Sequence, residues 1–300
     1  MNSKKTVYVG NIPLGGKHPV VIQTMTNTKT EDYKNTLDQI NQLYIRGAQI
    51  VRVSYPDIKC KDSLKKIVKN SPCPIVADIH FDYKLAISAM DIGCAKIRIN
   101  PGNISKRNLT EIIKVAKEKD IPIRIGVNGG SLEKEILKKY NYPTSDALFE
   151  SIKISVDFFL NKGFDKLVLS VKSSDVMEMI KANLKLKDLD FPVHLGVTEA
   201  GGLLRGSVKN SIGISYLLLN GVGDTIRVSL SDSPIYEIDT AKIILSSIHI
   251  SSNVPDVIAC PTCSRTTFDV VSVQKEVEKI LEIQRKGCVH KPHPCNSISL

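Results

Sequence analysis

The chain has no tryptophan, and aromatic residues make up only 5% of it. Its basic residues therefore lack stacking platforms, which argues against a nucleic-acid binder whatever the charge balance. No apolar run approaches the ~18 residues of a membrane-crossing helix, and Met1-Asn2-Ser3-Lys4-Lys5 leads into a short strand pattern rather than the apolar core of a secretory signal. The expected location is the cytoplasm. Blocks of like charge are missing too. The lysines are spread through amphipathic stretches such as 108–119 and 133–139, so most of the net charge of +10 reads as solvated surface, with an acidic small molecule the remaining reason for it. The seven cysteines are an odd number without a signal peptide, so thiols or metal ligands are expected rather than a disulfide framework.

What is present is an ordinary globular composition, 42% hydrophobic and 24% charged over 300 residues, enough for one large domain or one large and one small. Short β-branched runs alternate with helical patterns: 20–24, 50–53, 75–79, 96–99, 123–127, 166–170, 193–197 and 225–228. Between the first two, Thr36, Ile40, Leu43 and Tyr44 form an apolar stripe and Gly47 a C-cap signal. Such crossovers require parallel neighbours, and eight of them fit a TIM-type (β/α)8 barrel over residues 1–250, with a doubly wound open sheet as the main rival. After Ser251-Ser252-Asn253, a linker, residues 254–300 read as a small separate unit. It holds Cys260-Pro261-Thr262-Cys263 and one helix from about Val270 to Arg285, capped by Asp269 and striped by Val273, Val277, Ile280 and Leu281.

Aligning the eight strands by their C-terminal ends places chemistry at nearly every one. Arg52 closes the second, Asp78 and His80 the third, Arg98 and Asn100 the fourth, and Arg124 and Asn128 the fifth. Lys172 follows the sixth, Thr198 and Glu199 the seventh, and Arg227 and Ser229 the eighth. In a barrel these ends converge on one mouth. Arginine is scarce, nine of 41 cations, and four of the nine stand here. Such a cluster of like charge calls for a ligand with several negative charges, a phosphate or diphosphate ester. A salt bridge to a nearby carboxylate is the simpler role for any one arginine; Asp78 and Glu199 are too few to serve them all. Glu199, preceding Ala200-Gly201-Gly202, suits proton transfer, with His80 a weaker candidate that Asp78 could hold structurally.

Cys60, Cys73 and Cys94 are isolated and read as buried small hydrophobes. Cys260 and Cys263 have the spacing of one metal edge, which zinc, an iron-sulfur cluster and a redox dithiol all use. Cys288 and Cys295 are in range as further ligands, and His290 and His293 beside them would suit zinc.

Taken together, these segments resemble the 4-hydroxy-3-methylbut-2-enyl diphosphate synthase family, IspG or GcpE. The likeness rests on Val21-Ile22-Gln23-Thr24-Met25-Thr26-Asn27-Thr28, Val51-Arg52-Val53-Ser54, Ala77-Asp78-Ile79-His80-Phe81-Asp82 and Ile97-Arg98-Ile99-Asn100-Pro101-Gly102-Asn103. It continues through Arg124-Ile125-Gly126-Val127-Asn128-Gly129-Gly130-Ser131-Leu132, Gly196-Val197-Thr198-Glu199-Ala200-Gly201 and Cys260-Pro261-Thr262-Cys263-Ser264-Arg265. The resemblance implies reductive ring opening of 2-C-methyl-D-erythritol 2,4-cyclodiphosphate in non-mevalonate isoprenoid synthesis, with a 4Fe-4S cluster fed by flavodoxin or ferredoxin. It implies that Arg52, Arg98, Arg124, Lys172, Arg227 and Ser229 grip the diphosphate, that Asn128 and Thr198 position it and that Glu199 transfers a proton. Cys260 and Cys263 would ligate the cluster, and the cluster-bearing part of one subunit would cover the mouth of a partner in a homodimer.

The family's Gly-Cys-x-Val-Asn-Gly-Pro-Gly-Glu stretch, with its third cysteine and its ligating glutamate, is not found here; residues 285–300 differ and read as a truncation or an altered frame. The C-terminal iron-sulfur domain is therefore expected to be partial. A cluster-free barrel that still binds diphosphate is the alternative to the complete reductase.

Overall fold

The computed structural model describes residues 3–251 and 257–287, with side chains up to residue 281. Cys288, His290, His293 and Cys295, and the ending of the chain read above as a truncation, lie outside the described residues. The chain divides into two compact units, Met1–Ala241 and Lys242–Leu300.

The first unit opens with a hairpin, β1 (Thr6–Val9) and β2 (Ile12–Gly15). Then follow β3 (Val21–Met25), α1 (Tyr33–Arg46), β4 (Ile50–Ser54), α2 (Lys61–Asn70), β5 (Ile75–Asp78), α3 (Tyr83–Ile92), β6 (Lys96–Ile99) and α4 (Lys106–Glu118). The second half runs through β7 (Ile123–Asn128), α5 (Lys134–Tyr140), α6 (Ser145–Asn161), β8 (Leu167–Lys172), α7 (Val176–Lys185), β9 (His194–Leu195), α8 (Leu203–Leu219), β10 (Thr225–Ile226) and α9 (Pro234–Ser247), the last of which crosses the division between the units.

Strands β3 to β10 form one parallel sheet in the order β8-β7-β6-β5-β4-β3-β10-β9. A parallel bridge between Leu169 and Val193 joins its two edges, supported by Leu169 N–H donating to the Pro192 carbonyl at 2.8 Å. The ring is thus closed, as a (β/α)8 barrel requires and an open sheet does not. The last two strands are shorter than their apolar runs suggested, because both chains leave the ladder at Gly196 and Arg227 to build the mouth.

Helix ends follow local chemistry. Asp32 caps α1 by accepting from Asn35 N–H at 3.2 Å, and Gly47 ends it with φ 113°, where a side chain would be strained. Thr36, Ile40 and Leu43 of that helix are buried, whereas Tyr44 is 43% exposed and does not belong to the core stripe. Cys60, Cys73 and Cys94 are all buried.

The hairpin decides which end of the barrel is open. Val7, Val9 and Leu14 pack with Val21, Ile50, Val76 and Val168, which lie at or near the starts of their strands. The N-terminal end is therefore plugged with hydrocarbon, and the strand C-termini form the mouth.

In the second unit, the described residues carry the Cys260–Cys263 loop and α10 (Val270–Gly287). Asp269 caps this helix, accepting from Ser272 N–H at 3.1 Å. Val273 and Ile280 of its apolar stripe are about half exposed.

Candidate functional site

The parity of the strands builds the mouth. Side chains in register on parallel strands share a face, and Asp78, Arg98 and Arg124 are successive register partners on β5, β6 and β7. Arg52 enters from β4 in register with Met25, whose sulfur accepts from Arg52 Nε at 3.1 Å and Nη2 at 3.0 Å. Lys172 ends β8 in register with Asn128 of β7. Two glycines make room for these long cations. A Cβ on Gly126 would lie 2.9 Å from Asn100 Oδ1 and 3.1 Å from Arg98 Nε; one on Gly196 would lie 2.3 Å from the Arg227 carbonyl oxygen and 2.7 Å from Lys172 Nζ.

Two carboxylates hold part of this charge. Asp78 accepts from Arg98 Nη1 at 3.0 Å and pairs with Arg52 at 3.7 Å and His80 at 3.5 Å. Burial would raise its carboxyl; Arg52, the His80 ring and Arg98 outweigh burial and keep it far below the usual carboxylate range. Glu237, on the first turn of α9, was not among the residues expected from the strand ends. It accepts from Arg227 Nε at 3.1 Å and Nη2 at 2.9 Å, from Thr24 Oγ1 at 2.8 Å and from Leu230 N–H at 3.2 Å. A helix following the last strand offered no strand-end signal for it.

Against these two stand Arg52, Arg98, Arg124, Lys172 and Arg227. Burial draws the Arg52 guanidinium down to about 10 despite Asp78, with Arg227 and Arg98 adding to the drop, so it stays charged at neutral pH. Arg124, 1% exposed, and Lys172 are pulled well below their ordinary values, first by burial and then by neighbouring guanidiniums. Neither makes an ion pair among the described residues. Among the described residues, the donors Arg124 Nε and Nη1 and Arg98 Nε are buried with no protein partner, against a single unpaired acceptor, Asn100 Oδ1. Each unmade bond costs about 1–3 kcal/mol, so the mouth is shaped to be completed by an acceptor-rich ligand.

Around this centre, Asn128 spends its side-chain oxygen on the Ser131 N–H of the following turn, leaving its amide hydrogens. Ser229 and Thr198 are half-buried; His80 and Glu199 are exposed. Glu199 has φ 52°, a left-handed backbone rare for a residue with a Cβ, and its side chain has no hydrogen-bond partner among the described residues.

Cys260 and Cys263 are free and exposed. Cys263's thiol is drawn down by hydrogen bonds from Arg265 and Thr266, a loop that favours thiolate. This donor set fits a thiolate-ligated metal or cluster, of which it would supply two ligands; among the described residues no group of three or more metal-binding side chains gathers.

Residues 4–242 match the family model described as the GcpE TIM-barrel domain. The chain belongs to the GcpE family. It is 48% identical over 294 residues to the 4-hydroxy-3-methylbut-2-en-1-yl diphosphate synthase (flavodoxin) of Fusobacterium nucleatum, covering 95% of this chain and 83% of that protein. To the protein of the same name from Wigglesworthia glossinidia brevipalpis it is 49% identical over 280 residues, 93% of this chain and 76% of the relative. Among solved structures, dihydropteroate synthase from Stenotrophomonas maltophilia aligns with a TM-score of 0.60 at 10% identity, covering 82% of this GcpE-family chain and 99% of that one. N-acetylneuraminic acid synthetase from Leptospira borgpetersenii aligns at 0.56 with 15% identity, covering 95% and 99%. At such identities these two show the barrel fold alone.

Proposed function

We propose that this chain is a 4-hydroxy-3-methylbut-2-enyl diphosphate synthase, opening the ring of 2-C-methyl-D-erythritol 2,4-cyclodiphosphate reductively in the non-mevalonate route to isoprenoids. The observation that carries the proposal is the mouth itself: five cations from five of the eight strands of the ring, two carboxylates to hold them, and buried guanidinium N–H groups that await acceptors. A cyclic diphosphate supplies those acceptors. The names of the relatives support the same activity.

In this reading Arg52, Arg98, Arg124, Lys172, Arg227 and Ser229 bind the phosphates, and Asn128, Asn100 and Thr198 orient the ring. Asp78 sets the fork of Arg98 and the position of Arg52. Glu199, without a hydrogen-bond partner among the described residues, carries the proton that ring opening demands, with His80 a second candidate. Cys260 and Cys263 would hold two corners of a 4Fe-4S cluster, which when bound supplies the electrons that flavodoxin or ferredoxin delivers. The family's third cysteine and ligating glutamate are not found in this sequence, so the third and fourth protein ligands are not identified in it. The reading includes a homodimer acting in the cytoplasm; no described helix is long and apolar enough to cross a membrane.

Anaerobic reconstitution of the full chain with iron and sulfide tests this. Broad absorption near ~400 nm, roughly four irons per chain and conversion of the cyclodiphosphate with reduced flavodoxin are expected, and Cys263→Ser should abolish all three. A reconstituted chain that binds the cyclodiphosphate yet never converts it would overturn the proposal.

A further inference from the structure

Below the mouth, the barrel lumen contains polar side chains that ligand binding at the rim does not use. Register fixes which way they face. Val21, Val76 and Val168 turn inward onto the hairpin plug. Lys96 is in register with Val76, and Arg124 with Val168. His194 is in register with Thr225, itself in register with Val21. Gln23 follows Val21 by two residues on the same strand and shares its face. Gln23, Lys96, Arg124 and His194 therefore all enter the lumen above the plug, and none is more than 1% exposed.

Few of their nitrogens find partners. Lys96 Nζ donates to Gln23 Oε1 at 3.5 Å, and His194 Nδ1 lies 3.4 Å from Thr225 Oγ1. Among the described residues, the donors Gln23 Nε2, Arg124 Nε and Arg124 Nη1 are buried without a protein acceptor, and His194 Nε2 is buried without a partner, donating in the tautomer whose Nδ1 accepts from Thr225. Buried polar groups in folded proteins are nearly always hydrogen-bonded. Asp78 and Glu237 cannot serve, since both are committed to Arg52, Arg98 and Arg227. Water alone answers this poorly: each molecule brings two hydrogens as well as its lone pairs, so a surplus of donors persists. An anion accepts without donating. It also offsets the burial, and the repulsion from Arg124 and Arg52, that work against a charge on Lys96.

We propose that the lumen beneath the mouth binds a small monovalent inorganic anion of the chloride type, held by Gln23, Lys96, Arg124 and His194. Arg124 then touches both levels, so the inner anion fixes one side of a guanidinium whose other side serves the rim.

Crystals of the full chain grown with bromide in place of chloride, measured at the bromine absorption edge, test the site directly. An anomalous peak within hydrogen-bonding distance of Lys96 and Arg124 is expected, and its loss in Lys96→Met. Solution provides a second arm that needs no variant. The melting temperature of the wild-type chain should rise and saturate with sodium chloride or bromide, and stay lower in sodium gluconate at equal ionic strength, as a ligand bound only by the native state requires. Lumen density with no anomalous signal, meaning ordered water, or identical melting in chloride and gluconate, would overturn the proposal.

Discussion

Glu237 accepts two parallel hydrogen bonds from the Arg227 guanidinium, at 3.1 and 2.9 Å, while the same carboxylate takes Thr24 Oγ1 and Leu230 N–H. With 3% of its side chain exposed, it is a fixed base plate for one of the cations proposed to bind phosphate. Glu237→Gln should cost about 2–3 kcal/mol in urea unfolding, somewhat less than a fully enclosed pair because Arg227 is partly open. Titration with inorganic diphosphate should weaken even though net positive charge increases, since the guanidinium gains rotamer freedom. Tighter binding would show that the local field, and not the fixed geometry, governs the site.

Arg124 illustrates a conflict between folding and binding. Its Nε and Nη1 are buried and unpaired by protein, so replacing it with an apolar side chain of similar length removes a cost. In chloride-free gluconate, where the inner anion is absent as well, Arg124→Met is expected to raise the stability of the ligand-free chain by about 1–3 kcal/mol and to lower diphosphate affinity by roughly 100-fold, the loss of a charge-assisted bidentate contact. Differential scanning fluorimetry and calorimetric titration read the two effects separately. A destabilised variant would mean that the guanidinium is satisfied within the fold.

Gly126 is a spacer whose absence of a side chain the Arg98 guanidinium exploits. In Gly126→Ala the added methyl would stand 2.9 Å from Asn100 Oδ1 and 3.1 Å from Arg98 Nε, pushing the guanidinium from its place against Asp78. The expected result is a loss of about tenfold in diphosphate affinity with a stability change of about 1–3 kcal/mol, the scale of a modest overpacking strain. A crystal structure of the variant should show Arg98 displaced. Unchanged affinity would remove Arg98 from the binding set.

Asp224 gives the fold a pH dependence independent of the mouth. Burial pushes its carboxyl up to about 6, although Oδ2 accepts from Val193 N–H at 2.8 Å; Oδ1 has no hydrogen-bond partner among the described residues. A carboxyl raised in the folded state contributes stability in full below its unfolded value near ~3.9, and that contribution fades as pH climbs through about 6. Asp224→Asn should therefore unfold at higher urea than the wild type at about pH 8, by about 2–3 kcal/mol, and show no such gain at about pH 4. Parallel pH profiles for the two proteins would refute the assignment.

The barrel was legible because each parallel strand, buried on both faces, leaves a dense run of β-branched residues, and every crossover adds its own amphipathic period. The convergence of Arg52 and Arg98 followed from aligning those runs by their ends; Arg124, expected at the C-terminal end of its strand, is instead the second residue of β7, in register with Val168 near the strand starts. What escaped has physical causes. The hairpin is too short for periodicity to separate it from a leader to β3, although Gly10-Asn11 between Val7, Val9 and Leu14 is a two-residue turn signal. Glu237 lies on a helix, where only tertiary packing brings it to Arg227. Inward-facing Gln23, Lys96 and His194 sit mid-strand or at strand starts, positions at which hydrophobic filling is the ordinary expectation.

The hairpin has a final consequence for traffic. With Val7, Val9 and Leu14 corking one end, the barrel is a cul-de-sac, and whatever enters over Glu199 and His80 must depart by the same doorway. Newly formed diphosphate therefore blocks the next molecule until it withdraws, so competition by product is a property of the architecture before any chemistry begins.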